Sequence, residues 1–157
     1  MTSSASRSPY TEADVHWLRR AVDLAYACPP SATAFSVGAV IVDADGRELA
    51  SGHSRQLAPD LHAEECALAG VPDTATPAGA TLYSSLEPCS RRSSRPTPCS
   101  ELVIASGIRR VVIAWREPDV FVADCQGVRL MAGAGVDVIE IPALAESARA
   151  ANAHLRF

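Results

Sequence analysis

The chain has 157 residues, a length that suits one domain built around a single core. Its 48% hydrophobic and 20% charged residues are typical of a globular protein and exclude a disordered one. The net charge of −4 argues against a surface built for nucleic acid or for an anionic membrane, and no apolar run reaches the roughly 18–20 residues of a membrane span.

The first third of the chain is predicted to form a helix and a β-hairpin. The residues at 11–14 resemble a capping box, and apolar residues then repeat at helical spacing until the prolines at 29 and 30. The continuous apolar run at 37–42 indicates a strand covered on both faces, and its Gly38 would let a helix or a ligand approach closely. A polar turn leads into a returning strand over 48–53.

Helices and strands alternate over the rest of the chain. Helices are predicted over 61–70, 99–106 and 128–134, strands over 80–84, 110–115 and 136–141, and a helical tail from 143. A hairpin followed by this alternation predicts an α/β fold, a three-layer α/β/α sandwich with a mixed five-stranded sheet. The absence of repeats and long linkers predicts a single domain over 1–157, of which we expect 1–10 to be disordered.

Cysteine usage points to an intracellular site rather than to disulfides. The chain has five cysteines, an odd number, and the first ten residues lack the apolar stretch of a secretion signal. We therefore expect a cytoplasmic protein, in which clustered cysteines indicate a metal or catalysis. Cys89 and Cys99 each follow a proline in one polar loop, whereas Cys28 and Cys125 have no such setting.

His62, Cys89 and Cys99 are the candidate metal ligands. Each lies near the start of a predicted short helix, and one imidazole with two thiolates suits Zn²⁺. Three protein ligands leave the fourth tetrahedral position open for water, as in a catalytic zinc site. Cys66, four residues after His62 on the same helix face, could instead close the site as a fourth ligand or belong to the helix core.

Glu64 is the candidate catalytic residue. It lies two positions after His62, about 200° around an ideal helix, which makes it a poor co-ligand. A carboxylate beside a metal-activated water is placed to take up its proton and return it elsewhere. The pattern H-x-E followed by P-C and a second cysteine is the signature of zinc deaminases, in which the glutamate is not a ligand.

At these residues the chain resembles the deaminase domain of the bifunctional riboflavin-pathway enzyme, in the cytidine deaminase-like superfamily. The likeness is carried by VGAVIV at 37–42, HAEECAL at 62–68, GATLYSSLEPCS at 79–90, RPTPCSELVIASGIRRVVIA at 95–114 and GVRLMAGAGVDV at 127–138. Cytidine and nucleic-acid deaminases typically carry a close C-x-x-C pair. The wide spacing of Cys89 and Cys99 therefore favours the riboflavin-type branch.

The resemblance implies a zinc-dependent aminohydrolase with one Zn²⁺ per chain and Glu64 as the proton carrier. Its implied substrate is the ribosylamino-pyrimidinone 5′-phosphate intermediate of riboflavin biosynthesis. The family enzyme usually carries a reductase domain, and since none is attached here we expect a separate reductase. By the same analogy we expect a homodimer or homotetramer that acts on a small molecule, with neither nucleic acid nor membrane as a partner.

Three departures from the family pattern keep other substrates open. Ala34-Phe35-Ser36 stands where the family has N-P-x, whose asparagine contacts the substrate, and the only asparagine of this chain is Asn152. Arg91 replaces a family histidine, and the cysteine loop is one residue longer. The alternatives are a deaminase of a related non-phosphorylated heterocycle, nucleoside or base in specialised metabolism, and, more remotely, a non-catalytic zinc-binding module.

Candidate substrate-binding residues surround the predicted metal site. They are Arg91, Arg92 and Arg95 in the cysteine loop, His53 before the first metal-binding helix, and Phe35 before the first strand. Arginine presents a planar fork that suits phosphate oxygens, although these three could equally form a solvated basic loop. Phe35 could stack on a heterocycle or pack in the core, and His53 could face the substrate or the solvent.

Overall fold

A computed structural model describes residues 8–90, 97–116, 118 and 126–155. The helices are α1 (Glu12–Ala25), α2 (Ala63–Ala69), α3 (Cys99–Ser106), α4 (Gly127–Gly133) and α5 (Ala145–Ala150). The strands are β1 (Gly38–Val42), β2 (Glu48–His53), β3 (Thr81–Ser84), β4 (Arg110–Ile113) and β5 (Asp137–Glu140). Every predicted element is present, and the bounds of α3 agree with the predicted range 99–106.

The strands form one mixed sheet in the order β2-β1-β3-β4-β5. The three strands β2, β1 and β3 pair antiparallel, whereas β3, β4 and β5 pair parallel. The first strand is buried along its whole length, as its unbroken apolar run predicts. The mixed five-stranded sheet is thereby confirmed.

Two glycines show that helices cover both faces of this sheet. Gly38 and Gly52 lie on opposite faces, because Gly52 pairs with Ala39, the neighbour of Gly38. A Cβ on Gly38 would collide with the backbone oxygen of Ala21 in α1, and one on Gly52 would lie 2.6 Å from the Cβ of Cys66 in α2. Helices α1 and α2 therefore pack closely on opposite faces, which confirms the three-layer arrangement.

A partly buried ion pair ties α1 to the middle of the sheet. The two guanidinium nitrogens Nη1 and Nη2 of Arg110 each lie 2.7 Å from an oxygen of Asp14, and the Tyr83 hydroxyl donates to Asp14 Oδ1 at 2.7 Å. Burial alone would raise the pKa of Asp14, but the hydrogen bonds from Arg110, the Thr11 N–H and Tyr83 outweigh it and hold the pKa well below its ordinary value. Asp14 is therefore a charged anchor of the fold.

The strand ends and the tail differ slightly from the predicted ranges. Strand β4 ends at Ile113, two residues before the predicted end, and the tail begins with a 3-10 turn at Pro142–Leu144 before α5. Proline lacks the N–H that a helix interior needs, so it is tolerated only in a first turn. Within the part of the chain that the structure describes, no helix is long and apolar enough to cross a membrane.

Candidate active site

The site lies where β3 ends and where α2 and α3 begin. His62 immediately precedes α2, and its backbone N–H donates to the Glu65 carboxylate at 3.0 Å, which fixes the start of that helix. Cys99 is the first residue of α3, directly after Pro98. Cys89 follows β3 in the segment between them, and its carbonyl accepts from the Ser100 N–H at 3.0 Å. Three separate segments thus converge on one point.

His62, Cys89 and Cys99 form a compact group of ligand atoms. His62 Nδ1 lies 3.6 Å from Cys89 Sγ and 3.3 Å from Cys99 Sγ, and all three ligand atoms lie within 4.8 Å of one another. With Zn–S near 2.3 Å and Zn–N near 2.0 Å, the ligand atoms of a tetrahedral site lie about 3.5–3.8 Å apart. The donor set and its spacing therefore fit Zn²⁺ with one position left open.

The surroundings of Cys89 favour the thiolate that a metal requires. The backbone N–H of Cys99 donates to Cys89 Sγ at 3.2 Å. Hydrogen bonds with the side chains of Cys99 and His62 lower the pKa of Cys89 to about 4, against the opposing effect of burial. A thiolate at neutral pH is ready to bind a cation without first losing a proton.

Glu64 lies in the first turn of α2 and is 3% exposed. Burial raises the pKa of its carboxyl above the ordinary value, while the Ser84 hydroxyl, 2.8 Å from Glu64 Oε1, acts in the opposite direction. The same hydroxyl lies 2.7 Å from the carbonyl oxygen of Leu86. Because a hydroxyl has one hydrogen, Ser84 can donate to an ionised Glu64, or accept from a protonated Glu64 and donate to Leu86.

His53 and Phe35 lie at the same end of the sheet as Glu64. His53 is half-buried at the end of β2, with Nδ1 3.1 Å from the Ser54 carbonyl oxygen. Phe35 is 8% exposed and packs edge-to-face on Trp115 with 6.0 Å between the ring centroids. Phe35 is thus part of the core in this structure. Contact of either residue with a substrate stays a prediction.

Cys66 does not join the ligand group. It packs under β2 at Gly52, and burial raises the pKa of its thiol. The alternative of a closed zinc site with Cys66 as fourth ligand is therefore wrong, because the inward face of α2 at this position contacts the sheet. Cys28 lies apart, with Sγ 3.4 Å from the Val37 carbonyl oxygen.

Several predicted positions fall outside the described residues. They are Arg91, Arg92, Arg95 and Cys125. The substrate-binding roles proposed for the three arginines stay predictions.

Sequence reasoning missed one residue that contacts the site and two that hold the segment before β1. Ser84 contacts Glu64, and its position at the end of a buried strand beside the LEPC motif was an available signal. Arg55 and Asn152 both bind Ser36, which is 116 positions before Asn152. No local pattern in the sequence connects residues so far apart.

A family model for the cytidine and deoxycytidylate deaminase zinc-binding region matches residues 11–115, a span that contains all three ligands and Glu64. The chain belongs to this family. The zinc-binding character of the family and the ligand group of this chain confirm the prediction of one Zn²⁺.

Relatives within the family show which of its branches the chain resembles. A diaminohydroxyphosphoribosylamino-pyrimidine deaminase of Schizosaccharomyces pombe is 39% identical over 135 residues, which cover 84% of this chain and 32% of that protein. The RibD protein of Escherichia coli is 41% identical over 66% of this chain and 26% of its own length. The chain thus spans about a third or less of the length of these curated relatives.

Solved structures agree with the fold. The Thermotoga maritima diaminohydroxyphosphoribosylaminopyrimidine deaminase/5-amino-6-(5-phosphoribosylamino)uracil reductase has a TM-score of 0.72 and 33% identity, over 88% of this chain and 39% of that one. The Aspergillus oryzae Rib2 deaminase in complex with DARIPP has a TM-score of 0.71 and 25% identity, over 83% of this chain and 84% of that one. The predicted riboflavin-type deaminase fold is confirmed.

Proposed function

We propose that this chain is a zinc-dependent hydrolytic deaminase of a small aminopyrimidine. The observation that carries the proposal is the buried carboxyl of Glu64 beside a three-ligand group that leaves one zinc position open. A structural zinc site would use a fourth protein ligand and would have no need of a carboxyl at this place. The remote alternative of a non-catalytic zinc-binding module is therefore disfavoured.

The reaction replaces an amino group on the ring by an oxygen from water and releases ammonia. His62, Cys89 and Cys99 would hold the zinc, which would supply a water molecule whose pKa is lowered to near neutrality. Glu64 would accept one proton of such a water and deliver it to the departing amino group, while the second proton would pass to the ring nitrogen as the amine-bearing carbon becomes a carbonyl. Ser84 holds the Glu64 carboxyl in both protonation states, because its hydroxyl can donate to Glu64 or accept from it.

The substrate that we propose is the ribosylamino-pyrimidinone 5′-phosphate of riboflavin biosynthesis. The names of the S. pombe and T. maritima relatives support it. We propose that at least one of Arg91, Arg92 and Arg95 binds the phosphate, since the chain has no lysine that could do so. In this pathway a reductase would consume the product.

One observation favours the alternative of a non-phosphorylated heterocycle. The segment before β1 presents Phe35 to the core, and the backbone groups of Ser36 are occupied by Asn152. Polar groups that are already bonded within the protein are not left unpaired when a substrate lacks a matching group. Such a site therefore discriminates less against substrates without that group. The two candidate substrates differ in whether they carry a phosphate group.

Ammonia release from the phosphorylated aminopyrimidine and from its dephosphorylated analogue tests the proposal. With the zinc-loaded wild type, we expect kcat/KM to be about ten- to a hundredfold higher for the phosphorylated compound, because a charge-assisted hydrogen bond is worth on the order of 1.5–3 kcal/mol. Alanine at the phosphate-binding arginine should remove this preference. Equal rates on both compounds would select the alternative, and no ammonia from either would contradict the deaminase function.

We also propose that the protein is cytoplasmic and assembles as a homodimer or homotetramer. An apolar cleft of about 540 Å³ between α2 and α3 supports assembly, since such surfaces are typical of protein contacts. It is lined by Leu61, Leu68, Val71, Leu102 and Ala105, among others. Light scattering coupled to gel filtration should give two or four chain masses, and Leu68→Arg should lower that number.

A further inference from the structure

The segment 35–37, which leads into β1, borders the proposed site. Gly38 donates its N–H to Ser85 Oγ at 3.0 Å and accepts from the Ser85 N–H at 3.0 Å. The neighbouring Ser84 contacts Glu64. The chain just before Gly38 therefore runs past the carboxyl end of β3, where the carboxyl of Glu64 is held. In α/β sheets, ligands bind at the carboxyl ends of the strands.

The C-terminal tail holds this segment from one side. The side-chain amide of Asn152 accepts from the Ser36 N–H at 2.6 Å and donates to the Ser36 carbonyl oxygen at 3.0 Å. The same nitrogen lies 3.4 Å from the Ala148 carbonyl oxygen, and Asn152 is 1% exposed. All of these contacts are internal, so the amide serves the backbone of Ser36 and not a ligand.

Arg55 holds the segment from the other side. Its guanidinium donates to the carbonyl oxygens of Pro29 at 2.7 Å and Phe35 at 3.2 Å, and to Ser36 Oγ at 3.0 Å. Arg55 is also the one non-glycine residue with a positive φ, 62°, in the described part of the chain. A backbone held in this uncommon region indicates that the surrounding contacts determine it.

The contacts of Phe35 and Trp115 extend this arrangement toward the metal ligands. Phe35 packs on Trp115, and the Trp115 carbonyl oxygen accepts from the N–H of Glu87, two residues before Cys89. The guanidinium of Arg149, in α5, lies 5.2 Å from the Trp115 ring centroid. The C-terminal tail thus contacts this part of the molecule at two points, Asn152 on Ser36 and Arg149 on Trp115.

We propose that Asn152 and Arg55 are positioning residues that hold 35–37 as a rigid wall of the substrate crevice and thereby set substrate affinity. The inference rests on the proposed deaminase function. Neither side chain contacts Glu64 or a metal ligand in the hydrogen bonds described above, so their loss should weaken binding while the chemical step continues. Misplacement of a binding wall lowers the population of productively bound substrate.

The substitutions Asn152→Ala and Arg55→Lys, with Asn152→Asp as an intermediate case, test this positioning role on the full zinc-loaded chain. We expect Asn152→Ala and Arg55→Lys each to raise KM about tenfold while kcat stays within about threefold and zinc content is unchanged. Lysine keeps the charge of Arg55 but cannot form its forked contacts. Asn152→Asp keeps the acceptor for the Ser36 N–H and loses the donor, so its KM should lie between those of the wild type and Asn152→Ala.

Hydrogen exchange provides a readout that needs no substrate. Amides in a peptide spanning 33–39 should exchange faster in Asn152→Ala, because the Ser36 N–H loses its acceptor. Ile139→Ala, in the edge strand β5, is the control for general loss of stability and should change neither KM nor this exchange. If Ile139→Ala raises KM as much, or if exchange over 33–39 is unchanged in Asn152→Ala, the inference is wrong.

The two proposals fail in different ways. A wild type that releases no ammonia from any aminopyrimidine tested overturns the deaminase function, whereas the exchange measurement on the same protein still decides whether Asn152 holds 35–37. An active wild type whose KM is unaffected by both substitutions overturns the positioning role and leaves the deaminase function standing.

Discussion

Two buried carboxyl groups, on opposite faces of strand β3, have pKa values that are shifted in opposite directions. Asp14 and Glu64 are each 3% exposed. Asp14 accepts from Arg110, Tyr83 and the Thr11 N–H, and its pKa lies below the ordinary range. Burial raises the pKa of Glu64, and among the described residues the Ser84 hydroxyl hydrogen-bonds its side chain. Two carboxyl groups with the same small exposed fraction thus have pKa values shifted in opposite directions, and the one with the raised pKa is the group that we propose as the proton carrier.

The alternation of strand β3 produces this difference. Tyr83 and Ser84 are consecutive, so their side chains point to opposite faces of the sheet. The hydroxyl of Tyr83 donates to Asp14 of α1, and the hydroxyl of Ser84 contacts Glu64 of α2. A buried carboxylate with a guanidinium and several donors stays ionised, whereas one with a single hydroxyl is free to gain and lose a proton.

Glu64→Gln is expected to have the largest effect on function. Glutamine matches the shape of glutamate and keeps an oxygen for Ser84, but it cannot carry a proton, so deamination should fall by at least about a hundredfold. Zinc content and the thermal midpoint should remain near wild type. Ammonia release at the wild-type rate from a zinc-loaded mutant would remove Glu64 from the proposed mechanism.

Asp14→Asn is the matched change at the other carboxyl and should affect stability instead. Its loss leaves the Arg110 guanidinium without its ion-pair partner, and hydrogen bonds to charged groups are worth about 1.5–3 kcal/mol, so the free energy of unfolding should fall by about that amount. Urea unfolding measures the loss, and kcat at saturating substrate should be retained. A comparable loss of kcat would show that the two carboxyl groups are not functionally separate.

The difference in unfolding free energy between wild type and Asp14→Asn should depend on pH. The folded-state pKa of Asp14 is depressed, so its stabilisation is present above the unfolded value, about 3.9, and is lost as the pH falls below it. The gap in unfolding free energy between wild type and Asp14→Asn should therefore narrow between about pH 5 and pH 3. Because acid releases zinc from both proteins, the difference isolates Asp14. A gap that widens over this interval would contradict the assigned direction.

Local signals predicted the fold and the ligand group well. The apolar run at 37–42 and the capping box at 11–14 act over a few residues, and β1 and α1 appear where these signals place them. His62 and Glu64 follow from a pattern in which residue type and spacing dictate the chemistry. These features can be predicted from a few neighbouring residues, without knowing how distant parts of the chain pack.

Contacts between distant segments could not be predicted in this way. Cys66 shares the helix face of His62 by spacing, yet that face contacts β2 at Gly52, so packing excludes it from the metal group. Asn152 lies in an alanine-rich tail, and only the path of the whole fold brings it to Ser36. Phe35 is placed by Trp115, a partner 80 positions away.

Ser84→Ala is the most conservative change that distinguishes the two faces of β3. It removes one hydroxyl from the Glu64 carboxyl without touching the ligand group, so we expect kcat to fall about tenfold, which corresponds to about 1.4 kcal/mol in the barrier, with KM little changed. Tyr83→Phe is the matched control, because it removes the neighbouring hydroxyl from Asp14 and should lower stability by about 1.5 kcal/mol without lowering kcat. Steady-state kinetics and urea unfolding on both mutants give a two-by-two comparison. If Tyr83→Phe lowers kcat as much as Ser84→Ala does, then the strand as a whole supports catalysis and Ser84 has no particular role in holding Glu64.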